Sequence, residues 1–112
     1  MEIRPREVRN YMTPDGHVPF REWLVSLKDK KTRAIIEKRI ERLHRGDFGD
    51  AKKLNGDLYE LRTHYGAGYR VYWGDLAGIL VILLCGGTKR TQKRDIQKAK
   101  DYWEEFKRRN HE

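Results

Sequence analysis

The chain has 112 residues, and its 25 lysines and arginines outnumber its 17 aspartates and glutamates, which gives a formal net charge of +8. A chain of this length buries one modest core, so we expect a single domain over residues 1–112, and its positive charge favours a polyanionic partner. The lone cysteine, Cys85, excludes an internal disulfide, and the lack of a signal-peptide pattern or of an apolar run of membrane length predicts a cytoplasmic protein with no membrane partner.

The first part of the chain predicts a strand followed by a helix. Residues Glu7–Met12 alternate loosely between polar and apolar side chains, as is typical of a strand, and the turn-forming residues Thr13–Gly16 end it. Pro19 suits the first turn of a helix. This helix carries four apolar residues at helical spacing, Phe20, Trp23, Leu24 and Leu27. We therefore expect its apolar side to face the core.

The next segment predicts a second helix with a strongly basic surface. Asp29 can cap its start, and Gly46 can end it. Its apolar side is formed by Ile36, Ile40 and Leu43. The rest of its surface carries Lys30, Lys31, Arg33, Lys38, Arg39, Arg42 and Arg45. Such a surface is either a solvated face or a ridge that faces nucleic acid, and Arg39 and Arg42 are the candidate RNA contacts on it.

A polar loop over residues 47–57 precedes a predicted three-stranded antiparallel meander. Leu58–Tyr65 and Tyr69–Trp73 are rich in β-branched and aromatic residues. The glycines of Gly66–Gly68 allow a three-residue hairpin loop, which would pair Tyr65 with Tyr69. Ile79–Cys85 is a continuous apolar run, typical of a strand buried on both faces.

This register sorts the side chains of the hairpin onto two faces. The apolar face carries Tyr59, Leu61, Thr63, Tyr65, Tyr69, Val71 and Trp73. The polar face carries Glu60, Arg62, His64, Arg70 and Tyr72. Two arginines, a histidine and a tyrosine on one face are consistent with an anion site or with a solvated outer face.

The segment Gly86–Asp95, GGTKRTQKRD, is a second candidate anion site. Its two glycines are expected to break the strand, and Thr91 can cap a final helix. The apolar side of that helix is formed by Ile96, Ala99, Trp103 and Phe106. Four cations crowd its positive N-terminus, Lys89, Arg90, Lys93 and Arg94. This arrangement is unfavourable unless an anion binds there. Together, the elements predict an α+β fold.

No metal or other cofactor is expected. The four histidines are widely spaced, and His111 is expected at the surface. With a single cysteine they complete no zinc-binding pattern. The glycine-rich segment lacks the spacing of a nucleotide-binding P-loop.

Four segments occur in the order PFREWLVSL, LNGDLYELR, YGAGYRVYW and LLCGGTKRTQKRDIQKAKDYW. The ordered set resembles the RelE/ParE toxin superfamily and, within it, the HigB-like branch of addiction module killer proteins, over about residues 7–106. The resemblance implies a compact sheet with two N-terminal helices on one face and an active cleft on the other. It also implies the toxin of a type II toxin–antitoxin module, which cuts mRNA on the ribosome and is neutralised by a small antitoxin of helix-turn-helix type.

The resemblance further implies the residues of the site. The positions that match the family's catalytic residues are Arg62, Arg70, Lys89 and Lys93, with Arg90, Arg94 and Asp95 adjacent. Lys52 and Lys53 occupy the loop in which relatives place lysines that touch the RNA backbone. The chain departs from the pattern at His64, where relatives often carry an acidic or neutral residue.

RNA can be cut without a metal when its 2′-OH attacks the adjacent phosphate and leaves a cyclic phosphate. This reaction needs a proton acceptor, stabilisation of the developing charge and a proton donor. Arg62 and Arg70 suit the second task. The acid and the base stay open among His64, Lys89, Lys93, Asp95 and Tyr72, and Tyr72 is also a candidate RNA contact. We expect Arg62 to add little to folding stability, because it would face other cations.

Two further functions are open at this point. One is a ParE-like poison of DNA gyrase, which acts by protein contact. The other is a non-catalytic basic module that binds RNA or DNA. The basic cluster after the last strand favours the nuclease, because a gyrase poison has less need of converging arginines and lysines.

Overall fold

The computed structural model describes residues 5–110, so that His111 lies outside the described part of the chain. Its elements follow in the order β1 (Glu7–Asn10), α1 (Pro19–Ser26), α2 (Lys30–His44), β2 (Ala51–Asn55), β3 (Leu58–Arg62), β4 (Tyr69–Leu76), β5 (Leu80–Thr88), a 3₁₀ turn (Lys89–Thr91) and α3 (Gln92–Arg109). The predicted α+β class is confirmed. Within residues 5–110, no helix is both long and apolar enough to cross a membrane.

The five strands form one sheet in the order β1-β5-β4-β3-β2. All neighbours are antiparallel except β1, which runs parallel to β5 and places Val8 opposite Val81. The edge strand β2 lies within residues 47–57, so the expected polar loop over these residues is wrong in part. Its side chains show no alternation of apolar and polar character, and an irregularity between Lys53 and Asn55 shifts its register. Both features are usual at a sheet edge and hide a strand from its sequence.

The hairpin between β3 and β4 has a longer loop than predicted. Arg62 lies opposite Arg70, so the loop spans residues 63–68 and the predicted pairing of Tyr65 with Tyr69 is wrong. The N–H of Thr63 donates to the carbonyl of Tyr69 at 3.0 Å, and Gly66 and Gly68 both adopt positive φ. The register differs from the predicted one by two residues. Because that number is even, every side chain of β3 and β4 keeps its predicted face.

Helices cover both faces of the sheet. On one face, Phe20 and Leu24 of α1 and Ile36 and Leu43 of α2 pack in a core with Val71. On the other face, α3 contributes Ala99 and Trp103 to a second core that includes Leu58, Tyr72, Ile82 and Leu84. The predicted apolar sides of all three helices are therefore confirmed. The face with the polar side chains of the hairpin is the one that α3 partly covers.

The glycines of β5 do not break the strand. Gly86 and Gly87 stay within β5, which continues to Thr88. A Cβ at Gly86 would collide with the ring of Trp23, and one at Gly87 would collide with the carboxylate of Asp95. Glycine is needed here because helices α1 and α3 approach the same strand from opposite faces.

Candidate functional site

Four positions form a row across the sheet on the α3 face, which we call the arginine row: Asp50, Arg62, Arg70 and Gly87. The N–H of Arg62 donates to the carbonyl of Asp50 at 2.9 Å, and Arg62 lies opposite Arg70. Arg70 in turn lies opposite Gly87 of β5. Two cations of adjacent strands thus point to the same side of the sheet. A second row alongside it contains Lys52, Glu60, Tyr72 and Cys85.

The buried carboxylate of Glu60 lies between the two arginines. Its side chain is 0% exposed. Oε2 accepts from the hydroxyl of Tyr72 at 3.1 Å and from Nε2 of Gln92, at the start of α3, at 2.7 Å. The Nε of Arg62 lies 3.4 Å from Oε1, and the Nε of Arg70 lies 3.9 Å from Oε2. The carboxylate therefore offsets part of the mutual repulsion of the two guanidinium groups.

The two arginines differ in what they leave accessible. The side chain of Arg70 is only 7% exposed, and its Nη1 donates to the carbonyl of Gly68 at 2.9 Å. The side chain of Arg62 is 32% exposed, and within residues 5–110 its contact with Glu60 is through Nε. The outer edge of the Arg62 guanidinium is the part of this pair that can bind an anion from solvent. The expectation that Arg62 faces other cations and adds little to stability is wrong, because the buried carboxylate of Glu60 lies beside it.

The four candidate cations that follow β5 are exposed, as expected for an anion site: Lys89, Arg90, Lys93 and Arg94. The N–H of Lys89 donates to the carbonyl of Gly68 at 2.8 Å, and the same carbonyl accepts from the side chain of Arg70. Arg90, Lys93 and Arg94 line, with Thr91, a recess of about 390 Å³. Neither Arg62 nor Arg70 lines this recess. The backbone of Lys89 thus lies beside Arg70 at the β5 end of the arginine row, and the other three cations lie around the start of α3.

Asp95 is a structural residue in this arrangement. It is 4% exposed and lies over Gly87. Its Oδ2 accepts from the hydroxyl of Thr91 at 2.5 Å, and the Nε of Arg94 lies 3.9 Å from its Oδ1. These contacts tie the first turn of α3 to β5. The prediction that Asp95 acts as an acid or a base is therefore wrong. Its carboxylate already binds Thr91 and is covered by protein.

Tyr72 requires a second correction. It is fully buried, and its hydroxyl donates to Glu60. Burial and the neighbouring carboxylate raise the pKa of Tyr72, so the phenol stays protonated. It can neither touch RNA from solvent nor accept a proton. Cys85 in the same row is equally inert, because burial and the charge of Asp95 raise the pKa of its thiol to about 12.

Arg39 requires a third correction, because it binds the protein's own backbone. Its guanidinium donates to the carbonyls of Arg62 at 2.5 Å, Asp50 at 3.2 Å and Phe48 at 3.3 Å. Burial and the nearby charge of Arg42 lower the pKa of Arg39. The side chain joins the segment before β2 to the end of β3 and so fixes one end of the arginine row. It is not available as an RNA contact.

The other candidate RNA contacts are accessible to different degrees. Arg42 is half-exposed and pairs with Asp47 through Nε at 3.1 Å. Lys52 and Lys53 are both exposed on the edge strand β2. Lys52 lies opposite Glu60, on the face of the arginine row, whereas Lys53 lies opposite Tyr59, on the other face. Only one of the two lysines can thus reach the site.

A histidine–carboxylate pair lies at the outer end of the arginine row. Nε2 of His64 is 2.5 Å from Oδ2 of Asp50, and this hydrogen bond is the main cause that lowers the pKa of Asp50. Both side chains are exposed. Sequence reasoning missed Asp50, because it precedes a strand that was not predicted. Within the described residues, no cluster of three or more histidine, cysteine or acidic side chains could hold a metal ion.

Comparison with known proteins gives three findings. Residues 22–104 match the family described as "Phage derived protein Gp49-like (DUF891)". An uncharacterized protein of Haemophilus influenzae is 52% identical over 81 residues, which cover 72% of this chain and 82% of that protein. The fold is similar to a chain in the crystal structure of the RelBE2 toxin–antitoxin complex from Mycobacterium tuberculosis, with a TM-score of 0.56, 20% identity, and coverage of 79% of this chain and 95% of that one. At this identity, the similarity supports the fold alone.

Proposed function

The chain belongs to the family of phage-derived Gp49-like proteins, and from this premise we propose that it is the toxin of a type II toxin–antitoxin module, of the HigB-like branch. In this proposal the chain is one toxin domain that cuts mRNA on the ribosome by metal-free attack of the 2′-OH. Its partners are mRNA, the ribosome and a cognate antitoxin of helix-turn-helix type. The chain of similar fold comes from a toxin–antitoxin complex, which supports an antitoxin partner.

One observation carries the proposal: the arrangement of Arg62, Arg70 and Glu60. Both guanidinium groups turn Nε toward the buried carboxylate, at 3.4 and 3.9 Å. Neither Nε makes a hydrogen bond to the carboxylate, so the contact is an ion-pair attraction that draws both groups toward Glu60 without using the outer edge of Arg62. A guanidinium held in this way is preorganised for a phosphate, which it can bind through two parallel hydrogen bonds. A simple solvated face gives no reason to bury a carboxylate under two arginines.

The arrangement suits charge stabilisation in RNA cleavage. When the 2′-oxygen attacks phosphorus, negative charge builds up on the non-bridging oxygens of the phosphorane. Arg62 contacts these oxygens, and the charge of Arg70 supports it from beneath. Such donors act mainly on the transition state, because they are already oriented before the charge appears.

The remaining cations bind the RNA chain and the leaving group. The backbone of Lys89 lies next to Arg70 through their shared contact with Gly68, and in this proposal its exposed ammonium group protonates the departing 5′-oxygen. Arg90, Lys93 and Arg94 surround the start of α3, where backbone N–H groups also favour a phosphate. Lys52 extends this positive surface on the other side of the site.

The proposal is tested by incubating the purified protein separately with translating ribosomes and with DNA gyrase. We expect new mRNA 5′ ends inside codons in the first mixture and undiminished supercoiling in the second. Naked mRNA serves as a control, and we expect it to be cut far more slowly. Intact mRNA together with inhibited gyrase would favour the ParE-like function instead.

A further inference from the structure

The histidine–carboxylate pair His64–Asp50 has no role in the site described so far. His64 follows Arg62 by two residues, and the N–H of Thr63 between them still donates to the carbonyl of Tyr69, so that the pairing of β3 and β4 continues to Thr63. The imidazole therefore lies on the side of the sheet that carries Arg62. Its Nε2 is 2.5 Å from Oδ2 of Asp50. The pair thus lies on the β2 side of Arg62, whereas Lys89 lies on the β5 side.

The contact determines which ring nitrogen of His64 carries the proton. Asp50 is held as a carboxylate, because the hydrogen bond from His64 and the charges of Arg62 and Arg39 lower its pKa. A carboxylate can only accept, so Nε2 must donate. In the neutral imidazole the other nitrogen, Nδ1, is then left with a free lone pair. A second partner that fixes the tautomer in this way is a common feature of functional histidines.

The backbone of Asp50 is itself firmly held. Its carbonyl accepts from the N–H of Arg62 at 2.9 Å and from Nη2 of Arg39 at 3.2 Å. Arg39 also binds the carbonyl of Arg62. A single half-buried guanidinium thus joins the backbone of Asp50 to that of Arg62. The backbone that carries Asp50 is therefore held beside Arg62, although the side chains of both members of the pair are exposed to solvent.

From this geometry we propose that His64 is the general base of the reaction and that Asp50 is a positioning residue for it. The proposal rests on the ribonuclease function proposed above. Nδ1 of His64 takes the proton of the 2′-OH as the 2′-oxygen bonds to phosphorus. The bond from phosphorus to the 5′-oxygen breaks, and that oxygen receives a proton from the ammonium of Lys89. The products are a 2′,3′-cyclic phosphate and a free 5′-hydroxyl, with the proton left on His64.

The positions of base and acid fit the geometry of this reaction. Attacking and leaving oxygens lie in line on opposite sides of phosphorus, so base and acid must flank the phosphate. His64 follows β3 and Lys89 follows β5, whereas Arg70 lies on the strand between them. The phosphate bound by the arginines would thus have one proton-transfer group on each side.

The decisive experiment measures mRNA cleavage on programmed ribosomes by His64→Ala, with and without added imidazole. We expect a loss of about 10²-fold or more in rate, the usual contribution of a general base, and partial recovery with imidazole. His44→Ala is the matched control, because it also removes an exposed imidazole, from the end of α2. That control should cut at the wild-type rate and should not respond to imidazole. Since His64 is exposed, its removal should leave the fold intact.

Asp50→Asn tests the positioning role through a readout that does not depend on activity. The ¹⁵N spectrum of the wild-type imidazole should show the proton on Nε2, and Asp50→Asn should mix the two tautomers and lower kcat more than KM. Asp57→Asn, which replaces an exposed carboxylate at the β2–β3 turn, is the control and should change neither the tautomer of His64 nor kcat. Equal rates for His64→Ala and an active wild type would overturn the proposed base and leave the ribonuclease function standing. A wild type that cuts no mRNA would overturn both.

Discussion

Replacing Glu60 by glutamine removes the only negative charge buried between Arg62 and Arg70 in the described residues while keeping the shape of the side chain. A glutamine oxygen can still accept from Tyr72 and Gln92. Any decrease in the free energy of unfolding therefore reports the loss of the charge rather than of the hydrogen bonds. Removing one partner of a buried ion pair typically costs about 3–5 kcal/mol. Arg62 is 32% exposed, so water screens part of the effect, and we expect a loss near the lower end, about 3 kcal/mol.

This loss is measurable by urea unfolding, followed through tryptophan fluorescence. With a slope of about 2 kcal/mol per molar urea, the midpoint should fall by about 1.5 M. Glu104→Gln, an exposed carboxylate on α3, is the control and should leave the midpoint unchanged. Adding Arg70→Gln to Glu60→Gln should recover part of the loss, since one of the two unbalanced cations is then gone. A midpoint for Glu60→Gln within about 0.3 M of wild type would refute the view that Glu60 balances the arginines.

Three further predictions concern residues around the site. Trp103→Ala should destabilise by about 3–5 kcal/mol in urea unfolding, because the ring is buried and fills the space over Gly74; a loss below about 1 kcal/mol would contradict this packing. Arg39→Gln should destabilise by at least about 2 kcal/mol in the same assay, because three carbonyls lose a charged donor, whereas Arg45→Gln should have almost no effect. Cys85 should resist Ellman's reagent at pH 8 in the folded protein and react in urea, because its raised pKa of about 12 keeps the thiol protonated at that pH; rapid reaction of the folded protein would contradict the buried thiol.

The fold was largely predictable because its helices and inner strands carry strong local signals. Pro19 begins α1, and Asp29 caps α2 with hydrogen bonds to Lys31 and Thr32. The faces of the hairpin were also correct despite the wrong loop length, since a shift of two residues preserves the alternation of side chains. Strand β2 was missed because an exposed edge strand needs no apolar side of its own.

The site was less predictable, because the type of a residue does not show whether its side chain is free. Arg39 and Tyr72 are suitable RNA contacts by type, yet one binds carbonyls and the other is buried. The same limit hid Glu60 and Asp50. Glu60 shares a face with two arginines, a signal that could have marked it as their counterion. Asp50 gave no such signal, because it meets His64 only through the pairing of an unpredicted strand.

The most direct test of the ribonuclease proposal is the rate of mRNA cleavage on ribosomes by Arg62→Ala, compared with wild type and with Arg21→Ala, an exposed arginine of α1. Urea unfolding of each variant gives the folded fraction to which the rate is normalised. We predict that kcat falls by 10²–10³-fold for Arg62→Ala, the usual cost of losing one donor to a developing oxyanion, while Arg21→Ala cuts as wild type does. Cleavage by Arg62→Ala at the wild-type rate would contradict the central claim that this guanidinium stabilises the transition state.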